Sequence, residues 1–100
     1  MRKLDDCAIA ELIKEAMLDT EGNYSEAEIQ KGILVSYLSL AEEAYLLKDE
    51  PGKRIEAVNL VKEYKIFYNY SEKILNDKEK EWHREKIQGL EKSLGVDEKS

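Results

Sequence analysis

The sequence predicts an all-α fold: an antiparallel three-helix bundle with a fourth helix appended. Apolar residues recur at three- and four-residue spacing along most of the chain, and no segment is a credible strand. Proline and glycine are scarce, with 1 and 5 residues of 100, and 38% of the residues are charged, which favours helices with wide solvated faces. A chain of this length can bury one modest core, so we assign residues 1–100 to a single domain.

The first helix is predicted at about residues 3–20, and it ends at the clearest turn of the chain. Gly22 and Asn23 adopt positive φ at low cost, which ends a helix. Ser25 then offers a hydroxyl to cap a second helix, and Glu28 follows three residues later, as in a capping box. We therefore expect a helical hairpin joined at this turn, with the rest of the chain packed against it.

The second helix is predicted at about residues 25–48, and its apolar face is unusually wide. A face of this width typically contacts two neighbouring helices rather than one. Gly32 lies within the helix, where glycine costs about 1 kcal/mol relative to alanine. We expect Gly32, together with the small residues Ala41 and Ala44, to let another helix approach closely.

The third helix is predicted at about residues 51–75, with Pro51 at its first position, where the missing N–H costs nothing. Asn76 and Glu79 form another capping signal, which predicts a fourth helix at about residues 77–94. No residue forces a break between the two segments, so a single continuous helix is the alternative. The fourth segment carries one thin apolar stripe, enough to pack on one neighbour or to bind a partner.

Composition and charge disfavour several classes of function. The formal net charge of −6 makes nucleic-acid binding and attachment to anionic lipid unfavourable. An acidic protein would instead suit a basic or amphipathic partner. No run approaches the roughly 20 apolar residues of a membrane span, and the first residues lack the apolar core of a signal peptide. Cys7 is the single cysteine, so no intramolecular disulfide is possible and a cytoplasmic location is expected. It lies near the apolar stripe of the first helix, and we expect it to be buried.

The sequence offers little to an enzyme. His83 is the single histidine, so neither a catalytic triad nor a histidine-rich metal site can be assembled. Glu79 and His83 share a helix face at four-residue spacing, and we interpret them as a surface ion pair rather than as part of a metal site. We therefore expect a non-enzymatic protein with no metal and no cofactor.

The third helix is the best candidate for a recognition surface. Tyr64, Phe67, Tyr68 and Tyr70 cluster within seven residues, either as packing at the edge of the core or as part of an interface. The second helix is mainly acidic and the third mildly basic. That contrast predicts either a seam of weak ion pairs or a groove with complementary walls for an amphipathic peptide.

Two parts of the chain resemble microtubule-interacting and trafficking (MIT) domains. Residues 8–16 followed by 19–27 are similar to the opening of those domains, where a first helix of small and aliphatic residues ends in a D-x-x-G-x-Y-x-x-A turn. Residues 61–75 are similar to the third helix of the family, with an E-Y pair near the middle and an E-K-aliphatic ending. The resemblance covers residues 4–75. The chain departs from the pattern at residues 29–32, where the family usually places an aromatic residue and a second alanine, and in its fourth helix.

The resemblance implies an adaptor that binds short helical or tail peptides of membrane-remodelling filament subunits. The peptide would lie between helices two and three, or between helices one and three. Tyr68 falls at a groove position of the third helix, with Lys65 and Glu72 flanking it on the same face. Tyr37 and Glu42 are geometric candidates on the facing helix.

A second hypothesis is a small stand-alone bundle of regulatory or immunity type that sequesters a single protein partner. The two hypotheses differ in the partner, which is a filament subunit in one case and a toxin or an enzyme in the other. A homodimer closed by the fourth helix is a further alternative for the thin apolar stripe of that segment.

Overall fold

The computed structural model describes residues 4–96 and confirms the all-α bundle. Its helices are α1 (Asp6–Asp19), α2 (Glu26–Leu46), α3 (Lys53–Ser71) and α4 (Asp77–Leu94). A short 3₁₀ turn at Glu72–Ile74 separates α3 from α4, so these are two helices and not one. Within residues 4–96, no strand is present, and no helix has both the length and the apolar character needed to cross a membrane.

Side-chain caps fix the boundaries of three helices. The Asp5 carboxylate accepts a hydrogen bond from the Ala8 amide at 2.9 Å and begins α1. Ser25 and Glu28 form the predicted capping box of α2, with bonds of 3.2 and 3.1 Å. Asn76 and Glu79 form the same box at the start of α4. Each box satisfies two backbone donors that the first turn of a helix leaves free.

The start of α3 differs from the prediction. Gly52 has a φ of 80° and precedes the first helical residue, Lys53. Because the left-handed conformation cannot continue into a right-handed helix, Pro51 lies outside α3, and its expected place at the first helical position is wrong. No side chain caps this end.

The centre of the bundle is the antiparallel pair α2 and α3, which make the most extensive contact between helices. The Tyr37 and Phe67 rings lie 5.8 Å apart, and Gln30 Nε2 donates to Ser71 Oγ at 3.5 Å. The α1–α2 hairpin that the sequence places at the centre is a smaller contact. The first helix is also the shorter partner of α2, with 14 residues against 19 in α3.

The fourth helix runs antiparallel to α3 and also contacts α2. The Arg54 guanidinium donates to the Leu94 carbonyl at 2.6 Å, and near the other end of α4 the Tyr68 hydroxyl donates to the Lys80 carbonyl at 3.4 Å. The packing of α4 against α3 and α2 buries its apolar stripe. It therefore packs on two neighbours, where the sequence indicated one.

Two expectations about small residues are wrong. Cys7 is exposed, because the buried face of α1 is formed by Ala8, Ile9 and Ile13. Gly32 is exposed as well, and a Cβ built on it would meet no atom within 4 Å. No helix approaches the backbone there, so close packing does not account for this glycine.

Candidate functional site

An apolar groove of about 390 Å³ lies between α1 and α2 and is open to solvent. We call it the α1–α2 groove. Its apolar lining consists of Leu12, Ala16, Ile33, Tyr37 and Leu40.

Helical spacing brings these side chains into line. Leu12 and Ala16 are four residues apart on α1, and the α2 residues are separated by intervals of four and three. Leu12 and Leu40 remain 37% and 50% exposed, and Ala16 contributes only a methyl group to the lining. The result is a concave, mainly apolar surface that is in contact with water.

The rim of the α1–α2 groove is acidic. Among residues 4–96, its charged lining residues are Glu15 and Asp19, one helical turn apart on α1, and no basic side chain of this part of the chain lines it. On the floor, the Tyr37 ring is held against Phe67 of α3. Burial raises the pKa of the Tyr37 phenol, and the nearby carboxylate of Glu63 raises it further.

Three of the five predicted peptide-binding residues meet at the seam between α3 and α4. Lys65, Tyr68 and Glu72 line a shallow groove of about 220 Å³ together with Arg84 and Glu91 of α4. Tyr68 is only 4% exposed, and its hydroxyl accepts a hydrogen bond from Arg84 Nε at 3.0 Å. Lys65 pairs with Glu91 at 3.4 Å. In the structure, therefore, α4 contacts the side chains that the sequence assigns to a peptide.

The other two predicted residues lie elsewhere. Tyr37 lines the α1–α2 groove, and Glu42 lines a separate groove between α2 and α4 with Tyr45, Leu46 and Lys86. The five residues are thus distributed over three surfaces. A groove formed by Tyr68 on one wall and by Tyr37 and Glu42 on the other is not present among the described residues.

His83 is a buried residue, and its expected surface ion pair with Glu79 is wrong. It is 5% exposed, and its Nδ1 is hydrogen-bonded to the Tyr64 hydroxyl. Glu79 pairs instead with Lys31 of α2 at 3.2 Å. Burial lowers the pKa of His83, and the carboxylate of Glu79 opposes that effect.

Apart from Tyr37, the sequence did not indicate the lining residues of the α1–α2 groove, of which four are apolar: Leu12, Ala16, Ile33 and Leu40. The available signal was the wide apolar face of α2, which exceeds what its packing partners cover. Periodicity indicates that such a face exists, but it does not indicate which part stays open.

The fold and the groove define a small all-α bundle with an open apolar surface. Comparison with protein-family models, curated proteins and solved structures found no match. Within residues 4–96, no group of three or more His, Cys, Asp or Glu side chains is placed to hold a metal ion. The geometry of the α1–α2 groove is therefore the basis of the functional argument.

Proposed function

We propose that the protein is a non-enzymatic interaction module whose α1–α2 groove binds an amphipathic helix of a partner protein. The observation that carries the proposal is the open apolar groove itself, lined by leucine, isoleucine and tyrosine side chains from two helices. Helix-in-groove recognition uses such a surface, with anchor residues of the ligand at i, i+3 or i+4, and i+7.

Burial of the two half-exposed leucines would supply the main driving force. Leu12 and Leu40 lie on opposite walls, so a helix between them would remove both from water. The gap above Ala16 offers room for one large anchor side chain of the ligand. Tyr37, held by Phe67, would provide a rigid aromatic floor of the type found at binding hot spots.

The acidic rim selects the partner. Glu15 and Asp19 project from one wall, so a helix with lysine or arginine beside its apolar stripe would be favoured over an acidic one. Residues one turn apart on such a ligand would face the two carboxylates. Exposed pairs of this kind contribute little affinity, but they orient the ligand and exclude the wrong charge.

The resemblance to MIT domains supports the same class of function, the binding of a helical or tail peptide. It points to grooves formed with the third helix, whereas the groove proposed here lies between the first and second. We place the protein in the cytoplasm, because its one cysteine is an exposed free thiol, which a reducing compartment would preserve.

The test is a titration of the full chain with a synthetic helix of about 18 residues that has leucines at i, i+4 and i+7 and lysines on both flanks. A twin peptide with glutamate in place of lysine serves as the charge control. Binding is followed by calorimetry and by amide shifts in ¹H–¹⁵N NMR spectra. We expect the cationic peptide to bind and to shift Ser36 and Leu40, and the anionic twin to bind much more weakly.

Matched variants locate the site. Leu12→Glu and Leu40→Glu place a charge in the groove and should weaken binding by roughly tenfold or more. Leu18→Glu and Leu46→Glu make the same change on the same two helices at side chains that are 69% and 77% exposed and lie outside the groove, so binding should be unchanged. If Leu46→Glu abolished binding and Leu40→Glu did not, the ligand would occupy the surface between α2 and α4, and the proposal would be wrong.

A further inference from the structure

The contact between α4 and α3 contains a buried histidine. His83 is surrounded by aromatic rings, with centroids 5.7 Å from Tyr64, 6.1 Å from Tyr68 and 4.9 Å from Trp82. Tyr64 is fully buried, and its hydroxyl is hydrogen-bonded to His83 Nδ1. A neutral imidazole suits this place, because an unprotonated Nδ1 can accept a hydrogen bond from the Tyr64 hydroxyl.

The fourth helix is also attached away from His83, among other contacts by the Arg54–Leu94 hydrogen bond and the Lys65–Glu91 ion pair. On the C-terminal side of His83, the buried apolar side chains of α4 are Ile87, Leu90 and Leu94. These side chains belong to the same core as Leu34, Val61 and Phe67 of α2 and α3, which are at most 1% exposed. The contact of α4 with α3 is less extensive than the contact between α2 and α3, and regions with fewer buried contacts open at lower free energy than the centre of the core.

We propose that α4 is an acid-releasable helix: protonation of His83 detaches α4 from α3 while the α2–α3 pair stays folded, and the α3 surface around Tyr64 and Tyr68 becomes accessible. This device is separate from the α1–α2 groove, which α4 does not line. The surface it would uncover includes Lys65, Tyr68 and Glu72, three of the five residues to which the sequence assigns peptide binding.

The charged groups near His83 do not offset the cost of a buried cation. Tyr64 and Tyr68 face it from α3 with neutral phenols. Lys31 of α2 shares the Glu79 carboxylate, so that charge is already paired. Glu42 of α2 acts on the Tyr64 phenol, whose pKa is raised mainly by burial.

On α4 itself, Arg84 adds a positive charge at the Tyr68 hydroxyl. Burial therefore lowers the pKa of His83 despite Glu79.

The direction of the pH effect follows by linkage. In docked α4 the pKa of His83 is depressed, whereas in released α4 the imidazole is solvated and its pKa returns to about 6.5. The released state binds the proton more readily, so docking is strongest above about pH 6.5 and weakens as the pH falls below it. Among side chains with ordinary pKa values, only histidine changes charge between about pH 5 and 8.

The experiment compares hydrogen-exchange protection factors of individual amides in the full chain at about pH 7.5 and about pH 5, corrected for intrinsic exchange. We expect protection in α4 to fall at about pH 5, because the released state binds the proton more readily than the docked state. Protection at the centre of α2 and α3 should change far less. Equal loss in all helices, or no loss in α4, would overturn the proposal.

Two variants and one internal signal identify the group responsible. His83→Asn places an amide oxygen near the position of Nδ1 and cannot titrate, so α4 should no longer respond to acid. Tyr64→Phe keeps the histidine, so the response should persist with weaker docking at neutral pH. The chain has a single imidazole resonance to follow, and its titration midpoint must coincide with that of α4 protection. A mismatch would overturn the proposal even if His83→Asn failed to fold.

Discussion

Replacing Gly32 with alanine should stabilise the protein. Gly32 lies inside α2, is exposed, and has no atom within 4 Å of the position that a Cβ would take. Its backbone is helical, and the Ser36 hydroxyl donates to its carbonyl at 3.0 Å, a bond that a methyl group would not disturb. Alanine in place of glycine inside an exposed helix therefore gains the full difference in helix propensity, about 1 kcal/mol.

The gain is large enough to measure. In a domain of this size, 1 kcal/mol shifts the melting temperature by roughly 4–8 °C. Urea and thermal unfolding of Gly32→Ala, followed by circular dichroism, would give the change in free energy of unfolding. Gly89→Ala on α4 meets equally open space and should give a similar gain. Neither added methyl group would meet a heavy atom of another residue within 4 Å, so the double variant should approach the sum of the single effects.

Gly52→Ala provides the opposing control. Gly52 also has open space around it, but its φ is 80°, which an alanine adopts only at a cost of roughly 1–2 kcal/mol. Replacing glycine with alanine should therefore destabilise the protein at residue 52 and stabilise it at residue 32. If Gly32→Ala were neutral or destabilising in the monomeric protein, the open helix face described here would be wrong.

Four further outcomes are expected. Ser25→Ala removes the capping box of α2 and should cost about 1 kcal/mol in urea unfolding. Hydrogen bonds from Ser25 lower the pKa of Glu28. The contribution of Glu28 to the free energy of unfolding should therefore be present above its ordinary pKa of about 4.3 and lost as the pH falls through the lowered value. Glu28→Gln should remove that pH dependence from acid unfolding curves. Leu34→Ala, at a fully buried position, should cost about 2–5 kcal/mol, whereas Leu46→Ala should change stability little. Arg54→Gln weakens the hydrogen bond to the Leu94 carbonyl and should reduce amide protection in the last turn of α4. The expected change in the free energy of local opening is about 1 kcal/mol at most.

Local chemistry made the helix boundaries predictable. Ser25 with Glu28 and Asn76 with Glu79 are complete capping boxes within four residues of sequence, so no tertiary information is needed to find them. Gly95 ends α4 with a φ of 72°, as expected for a glycine after the last helical turn. The start of α3 was predicted at Pro51 because proline suits a first helical position, but Gly52 directly after it takes a conformation that excludes helix.

The wrong predictions for Cys7 and His83 concern side chains whose environment depends on another helix. Cys7 and His83 each lie at the edge of an apolar stripe, where a small rotation of the helix decides between burial and exposure. In α1 the contact surface excludes the thiol. In α4 it includes the imidazole, because Tyr64 presents a buried hydroxyl at that point of α3. Single-helix periodicity contains no information about that hydroxyl.

The five residues predicted to bind a peptide lie in three separate grooves for the same reason. A helix-binding surface and a helix-packing surface have the same composition, so the tyrosine-rich face of α3 is recognisable as a helix contact but not as one for a partner. In this chain α4 packs against that face of α3 and buries Tyr68. The shorter α1 leaves part of the apolar face of α2 open, with Leu40 half exposed. A ligand for the protein is therefore expected where α1 and α2 leave apolar surface in contact with water, and at α3 only under conditions that remove α4.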